Sequence, residues 1–105
     1  MVNSSSSSSN SLQADKTKIT KDLRDITTKL KSENLTRKLV DDYYVLAICI
    51  AVVGSKYGLP KDQFSCILNS ALNLAIAFGG GTKKAPDTII EDAEYIVAYL
   101  SFLYY

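Results

Sequence analysis

The fold is decided by residues 43–78, which read YYVLAICIAVVGSKYGLPKDQFSCILNSALNLAIAF. From Tyr43 to Val53 the chain is apolar without interruption, and a helix that is apolar on all sides is buried in a core, an interface or a membrane. Gly58 is well placed as a left-handed helix C-cap, and Pro60 suits the first position of a following helix. Because the turn between them is short, we predict two antiparallel neighbouring helices, over residues 35–57 and 60–78.

The chain beyond residue 78 predicts one more helix. Three glycines at 79–81 end the preceding helix. Thr88 with Glu91 three residues later forms a capping-box pattern, and Asp87 is a rival cap. No segment alternates with period two, so no strand is predicted. The expected class is all-α, a small bundle of three apolar helices over residues 35–105. The last helix carries its apolar residues at intervals of four, three, four and three: Ile89, Ala93, Ile96, Leu100 and Leu103.

A basic amphipathic helix precedes this bundle, in a segment we place at residues 15–34. Its apolar residues are Ile19, Leu23, Ile26 and Leu30, which occupy one narrow stripe of a helix over residues 15–31. The opposite face carries Lys–Asp pairs four residues apart. Three arrangements stay open: the stripe packs on the bundle, the charged face binds an acidic partner, or the stripe pairs with a second copy.

Residues 1–14 form a serine-rich tail that we predict to be disordered. Residues Ser4 to Ser9 are six consecutive serines, which have no apolar surface to bury. Since no apolar segment follows a charged start, no signal peptide is expected. The expected location is cytoplasmic, or within a virion or filament. The serine run, the seven tyrosines and the absence of histidine and tryptophan would suit a small viral or plasmid-borne reading frame.

Charge is distributed unevenly along the chain. Residues 15–38 contain eight Lys or Arg against four Asp or Glu, whereas residues from 39 onward contain four against seven. A basic arm on a mildly acidic body favours an acidic partner for the arm, such as nucleic acid or an anionic surface. The residues predicted to contact nucleic acid are Lys16, Lys18, Lys21, Arg24, Lys29, Lys31, Arg37 and Lys38.

No catalytic site is recognisable in the sequence. The chain lacks histidine, the commonest general base and metal ligand. The acids at the start of the last helix complement the helix dipole. The glycine-rich stretch at residues 79–84 follows a helix, whereas phosphate loops precede one. We therefore expect no catalytic residue, no cofactor, no metal site and no small-molecule substrate.

The two cysteines, Cys49 and Cys66, lie at nearly equal distances from the turn at Gly58. In an antiparallel hairpin they would sit at matching height, so a disulfide is sterically possible if the side chains face each other. The alternative is two buried thiols that act as small hydrophobic side chains.

The apolar surface exceeds what a three-helix bundle needs, because the helix over 35–57 is apolar on all sides and the last helix has a second apolar stripe. This surplus predicts a homo-oligomer. The interface residues we predict are Tyr44, Ile48, Tyr95, Tyr99 and Phe102. The expected function is a non-catalytic, self-associating helical module, such as an accessory or coat subunit whose basic arm binds nucleic acid.

Two alternatives stay open. One is a membrane-embedded or pilin-like subunit, although the uncharged helix ending near residue 78 spans only about 22 Å of a hydrocarbon core of roughly 30 Å. The other follows from residues 50–69, which resemble the helix-turn-helix family at Gly54, Gly58, Leu59, Phe64 and Ile67. This resemblance implies a DNA-binding protein. The corresponding recognition helix offers only a few polar side chains for contacts: Lys61, Gln63, Ser65 and Asn69.

Overall fold

Four α-helices account for most of the chain that the structure describes. The computed structural model describes residues 4–102, with side chains for residues 14–102. The helices are α1 Ser4–Ser32, α2 Arg37–Lys56, α3 Asp62–Gly79 and α4 Asp87–Phe102, and residues 4–102 contain no strand. The predicted all-α class is confirmed. The α1 helix begins at Ser4, eleven residues earlier than predicted, so it includes residues 4–14 of the segment predicted as a disordered tail. The part of that prediction that falls on residues 1–3 lies outside the described residues.

The four helices pack in a closed ring in which neighbours run antiparallel. Both α1 and α3 contact α2 and α4. Going up α1, Arg24 hydrogen-bonds to Ser101 and Lys31 pairs with Glu94, so α4 runs in the opposite direction. The connections, residues 33–36, 57–61 and 80–86, are short, as expected between antiparallel neighbours. The helix α1 is therefore the fourth wall of the bundle, which is the first of the three arrangements left open above.

The core runs along the centre of this ring, and every helix contributes to it. The predicted stripe of α1 faces inward: Leu23 and Leu30 are fully buried, Ile19 is buried and Ile26 partly so. Full burial of one such side chain contributes about 1.5–3 kcal/mol. The largest fully buried apolar side chains of the other helices are Tyr43, Ile50, Ile67, Leu74 and Ile96.

The turn between α2 and α3 is closed by a Schellman motif. Gly58 adopts φ +68°, the left-handed conformation that favours glycine. The amide of Leu59 donates to the carbonyl of Gly54 at 2.9 Å, and that of Gly58 to Ser55 at 3.2 Å. The C-cap role predicted for Gly58 is confirmed. The α3 helix begins at Asp62, two residues later than predicted. Pro60 therefore lies before the helix and not at its first position, and its carbonyl accepts a hydrogen bond from Gln63 N.

At the opposite end of the bundle, the other two connections are joined by a backbone hydrogen bond. The α3 helix ends in a second Schellman motif at Gly81, whose φ is +95°, with Thr82 N donating to the Ala77 carbonyl at 3.0 Å. The amide of Leu35 then donates to the carbonyl of Lys83 at 2.7 Å. This bond joins the α1–α2 connection to the α3–α4 connection.

The starts of α2 and α4 use different caps. The Thr36 side chain accepts from Leu39 N at 3.1 Å, as an N-cap threonine does. The α4 helix begins at Asp87, where the Pro86 carbonyl accepts from Ile89 N at 3.0 Å. Thr88 therefore lies inside the first turn, and the interpretation of Thr88 as the N-cap residue is wrong.

Candidate interaction surface

The bundle exposes a broad apolar surface along two adjacent helices. Among the described residues, eight large apolar side chains are exposed, and six of them lie on α2 and α3. Val45 lies on the α1 side of α2, beside Cys49 and Lys18. We call the other five the α2–α3 face: Tyr44, Ile48, Val52, Leu72 and Ile76. Their exposed fractions run from 42% for Ile48 to 65% for Ile76. These side chains remain in water although the core behind them is filled.

A groove runs between α2 and α3 within this face. One shallow cavity of about 460 Å³, which is wide open to solvent, is lined mainly by Ile48, Val52 and Leu68. A second cavity of about 400 Å³ continues towards the turn at Gly58. The two cavities share Ala51, Ser55 and Leu68 in their walls, so they form one continuous depression that we call the α2–α3 groove.

The apolar outer face of α2 follows from how its inner face packs. Tyr43, Ala47, Ile50 and Gly54 point into the core at helical spacing. Gly54 leaves room for the Phe64 ring, since a Cβ there would lie 2.7 Å from Phe64 Cε2. Leu46 is also buried and Val53 packs partly against the core, whereas the side chains that point away from this row, Tyr44, Ile48 and Val52 among them, are exposed to solvent.

Opposite charges flank the outer face of α2. Asp41 lies one turn before Tyr44 and pairs with Arg37 at 3.6 Å. Lys56 lies one turn after Val52 and pairs with Asp15 at 3.8 Å. All four side chains are more than a third exposed, so these pairs exchange with other partners at little cost.

The structure separates the predicted interface residues into two groups. Tyr44 and Ile48 belong to the α2–α3 face, whereas Tyr95 and Phe102 are exposed on α4, across the ring from α2. Tyr99 is half-buried, with its ring edge-on to Phe64 at a centroid distance of 5.8 Å. The five residues therefore do not form one continuous surface.

Three members of the α2–α3 face were not predicted from the sequence: Val52, Leu72 and Ile76. Leu72 reads as part of the apolar face of its helix, yet it is 51% exposed. Leu72 and Ile76 are four residues apart, at the edge of the apolar side of α3. Because that side is wider than one neighbouring helix can cover, this spacing is the signal from which the exposed face could have been predicted.

The cations predicted to contact nucleic acid are mostly exposed, and they share their surface with acids. Arg24 donates to Ser101 on α4 at 3.3 Å, whereas Lys29 faces the α1–α2 side beside Asp25 and Asp42. Lys16 is half-buried near Ile19 and Leu100. The remaining five form ion pairs with carboxylates of the same chain: Lys18–Asp22, Lys21–Asp25, Lys31–Glu94, Arg37–Asp41 and Lys38–Asp42.

Both cysteines are free, and the disulfide that the sequence allowed is not formed. Cys49 is exposed on the side of α2 that faces α1, beside Lys18 and Asp22. Cys66 is half-buried, and its thiol donates to the Gln63 carbonyl at 3.7 Å. Burial, with Asp92 nearby on α4, raises the pKa of the Cys66 thiol. The two side chains therefore face different neighbouring helices, although they sit at similar height.

A small polar cluster lies in the core between α2, α3 and α4. The Ser70 hydroxyl donates to the Asp92 carboxylate. The Tyr43 hydroxyl is close to Ser70 but has no hydrogen-bond partner of normal geometry among the described residues, and burial raises the pKa of this phenol. Because Ser70 is 1% exposed and its proton points at a carboxylate, the cluster holds helices together and offers no accessible nucleophile.

Two kinds of site are not found in the part of the chain that the structure describes. No three or more acidic or cysteine side chains come together there as metal ligands. No helix within it combines the length and the apolar character needed to cross a membrane. No protein-family model, curated protein or solved structure matches this chain. Function is therefore inferred from the chain's own surface.

Proposed function

We propose that this chain is a non-catalytic helical module that self-associates through the α2–α3 face, as a small accessory or structural subunit does. The observation that supports this proposal is the exposure of the five large apolar side chains of the α2–α3 face on two adjacent helices. Monomeric proteins rarely expose contiguous apolar patches larger than a few hundred Å². Removing such surface from water contributes roughly 25 cal/mol per Å², which favours association.

Light scattering coupled to size exclusion tests this proposal on the full chain. We expect a mass of at least a dimer at micromolar concentration, falling on dilution. Val52→Glu places a charge in the centre of the α2–α3 face and should shift the protein to monomer. Ala98→Glu is the matched control, since it adds the same charge at an exposed position of α4. A wild-type protein that is strictly monomeric at micromolar concentration would contradict the proposal.

Nucleic-acid binding through α1 is the second candidate. In its favour, seven of the eight predicted cations are exposed. It has less support than self-association, because five of these cations already pair with carboxylates of the chain and phosphates would have to compete for them. A protein that neutralises several phosphates loses affinity steeply with added salt.

Fluorescence anisotropy of a labelled oligonucleotide tests this second candidate. Binding at low salt that weakens when Lys21 and Lys29 are both changed to Gln, and that falls as salt is added, would support it. The absence of binding at low salt would remove it and leave self-association unaffected.

A further inference from the structure

We infer that two copies associate through antiparallel α2 helices about a twofold axis at Ile48, with Tyr44 of each copy inserted into the α2–α3 groove of the other. This inference rests on the proposed self-association and specifies its partner, a second copy of this chain, and its register. The arguments come from residue spacing, from charge and from the shape of the groove.

The first argument is the spacing along α2. Tyr44, Ile48 and Val52 are four residues apart and form one row on the outer face. In an isologous interface the same patch faces itself. With the axis at Ile48, each Ile48 faces Ile48 of the partner subunit, and Tyr44 faces Val52 of the partner subunit. Each of these outer contacts lies about 6 Å from the axis at 1.5 Å per residue.

The second argument is charge complementarity. Asp41 lies about 10 Å from Ile48 in one direction and Lys56 about 12 Å in the other, at 1.5 Å per residue. An antiparallel copy therefore places Asp41 level with Lys56 of the partner subunit, and the pair occurs twice. A parallel copy would place like charges side by side. Exposed charges of this kind set orientation and register more than affinity.

The third argument is the fit of an aromatic side chain to the groove. Tyr44 lies two helical turns before Ala51, which lines the groove with Leu68, so both residues are on the α3 side of α2. The twofold axis keeps α3 of both copies on the same side of the paired helices. Tyr44 therefore meets the partner's cavity of about 460 Å³, beside Val52. Its hydroxyl can remain at the rim near Ser55, and buried aromatic anchors of this kind dominate interface energetics.

Cysteine cross-linking tests the axis. In a Cys49→Ser background, Ile48→Cys places one thiol of each copy next to the axis, so mild oxidation should give a disulfide-linked dimer on a non-reducing gel. Ile76→Cys in the same background is the matched control, because it lies on the same face but away from the axis. Equal cross-linking of the two variants, or none at position 48 in a protein that dimerises, would overturn the inferred register.

Two further comparisons test the anchor and the charges by light scattering on dilution. Tyr44→Ala should weaken the dimer at least tenfold, whereas Tyr95→Ala, an exposed tyrosine on α4, should leave it unchanged. Asp41→Lys should weaken the dimer, and adding Lys56→Asp should restore it. If wild type dimerises but these variants behave as wild type, the inference fails and the proposed function stands. If wild type is monomeric, both fail.

Discussion

At the scale of single residues, Gly54 shows how closely α2 and α3 are fitted together. A Cβ at this position would lie 2.7 and 2.8 Å from two atoms of the Phe64 ring. That ring is 4% exposed and packs against Tyr99, so it has little room to move. Glycine is a weak helix former, but the packing of Phe64 against α2 requires it at this position.

Gly54→Ala should accordingly destabilise the protein. The overlap with Phe64 costs about 1–3 kcal/mol, and the higher helix propensity of alanine returns about 1 kcal/mol. We expect a net loss of up to about 2 kcal/mol in the free energy of unfolding, measured by urea denaturation. Gly79→Ala is the control, since nothing lies within 4 Å of a Cβ there, and it should be neutral or slightly stabilising. Equal stability of the two variants would contradict this account.

Tyr43 makes stability depend on alkaline pH. Burial raises the pKa of its phenol in the folded protein, while in the unfolded chain it ionises near about pH 10. The contribution is therefore complete at neutral pH and is lost as the pH rises above about 10, with a slope of up to about 1.4 kcal/mol per pH unit. Tyr43→Phe should flatten this loss without weakening the core, because the hydroxyl it removes lacks a partner among the described residues.

Urea denaturation at about pH 8 and about pH 11, on either side of the tyrosine pKa, measures this effect. The control is Tyr95→Phe, which removes from an exposed side chain of α4 a hydroxyl that donates to Gln63, and it should retain the steep alkaline loss of the wild type. The raised pKa of the Cys66 thiol acts in the same direction and is common to all three proteins. If Tyr43→Phe loses stability as steeply as wild type, burial of this phenol is not the cause.

At the scale of the elements, α1 is an integral wall of the bundle. Leu23 is fully buried in it, so Leu23→Ala should lower the free energy of unfolding by about 2–5 kcal/mol. Circular dichroism and tyrosine fluorescence should shift together, since the bundle loses stability as one unit. Thr28→Ala, at an exposed position of α1, should change stability far less. If Leu23→Ala lost part of its helical circular dichroism signal while the midpoint of its fluorescence transition stayed unchanged, α1 would be a separable arm.

The sequence predicts the four helices better than it predicts their packing. A glycine that ends a helix acts on neighbouring residues only, so it can be recognised in the sequence. Gly58 and the glycines at 79–81 therefore correctly predicted the connections before and after α3. The stripe of α1 marks a face to be buried but not the surface that covers it, which is why three arrangements stayed open. Thr36 was not predicted as a cap because the helix was placed from residue 35, which put Thr36 inside it.

The candidate surface could be predicted only in part, for a geometric reason. The surplus of apolar residues in 43–53 is visible in the sequence, and Tyr44 and Ile48 were placed in an interface from it. Whether Leu72 is buried depends on how far its neighbour α2 extends over α3, which no spacing within α3 specifies. Tyr95 and Phe102 were grouped with Tyr44 because the sequence does not show that α2 and α4 lie at opposite positions of the ring. That placement depends on how all four helices pack.

For the whole molecule, the proposed self-association would make thermal stability depend on protein concentration, because a partner that binds only the folded state stabilises it by mass action. We expect the wild-type Tm to rise with concentration in calorimetry. The Tyr44→Ala protein should show a Tm that is nearly independent of concentration, and Tyr95→Ala should follow wild type. A constant wild-type Tm over a wide concentration range would count against association of folded chains.

The closed ring also has a consequence for chain connectivity. Ile19 of α1 and Leu100 near the end of α4 are neighbours in the core, since both line one small cavity together with Lys16. A short flexible linker from the end of α4 to residue 15 of α1, in place of the residues before it, with a new opening cut in the glycines at 79–81, would yield a circular permutant that starts with α4 and ends with α3. Its core and its α2–α3 face would be the same. We therefore expect that the chain can begin at a different helix and still fold. The packing requires only that each helix keeps the same two neighbours in the ring.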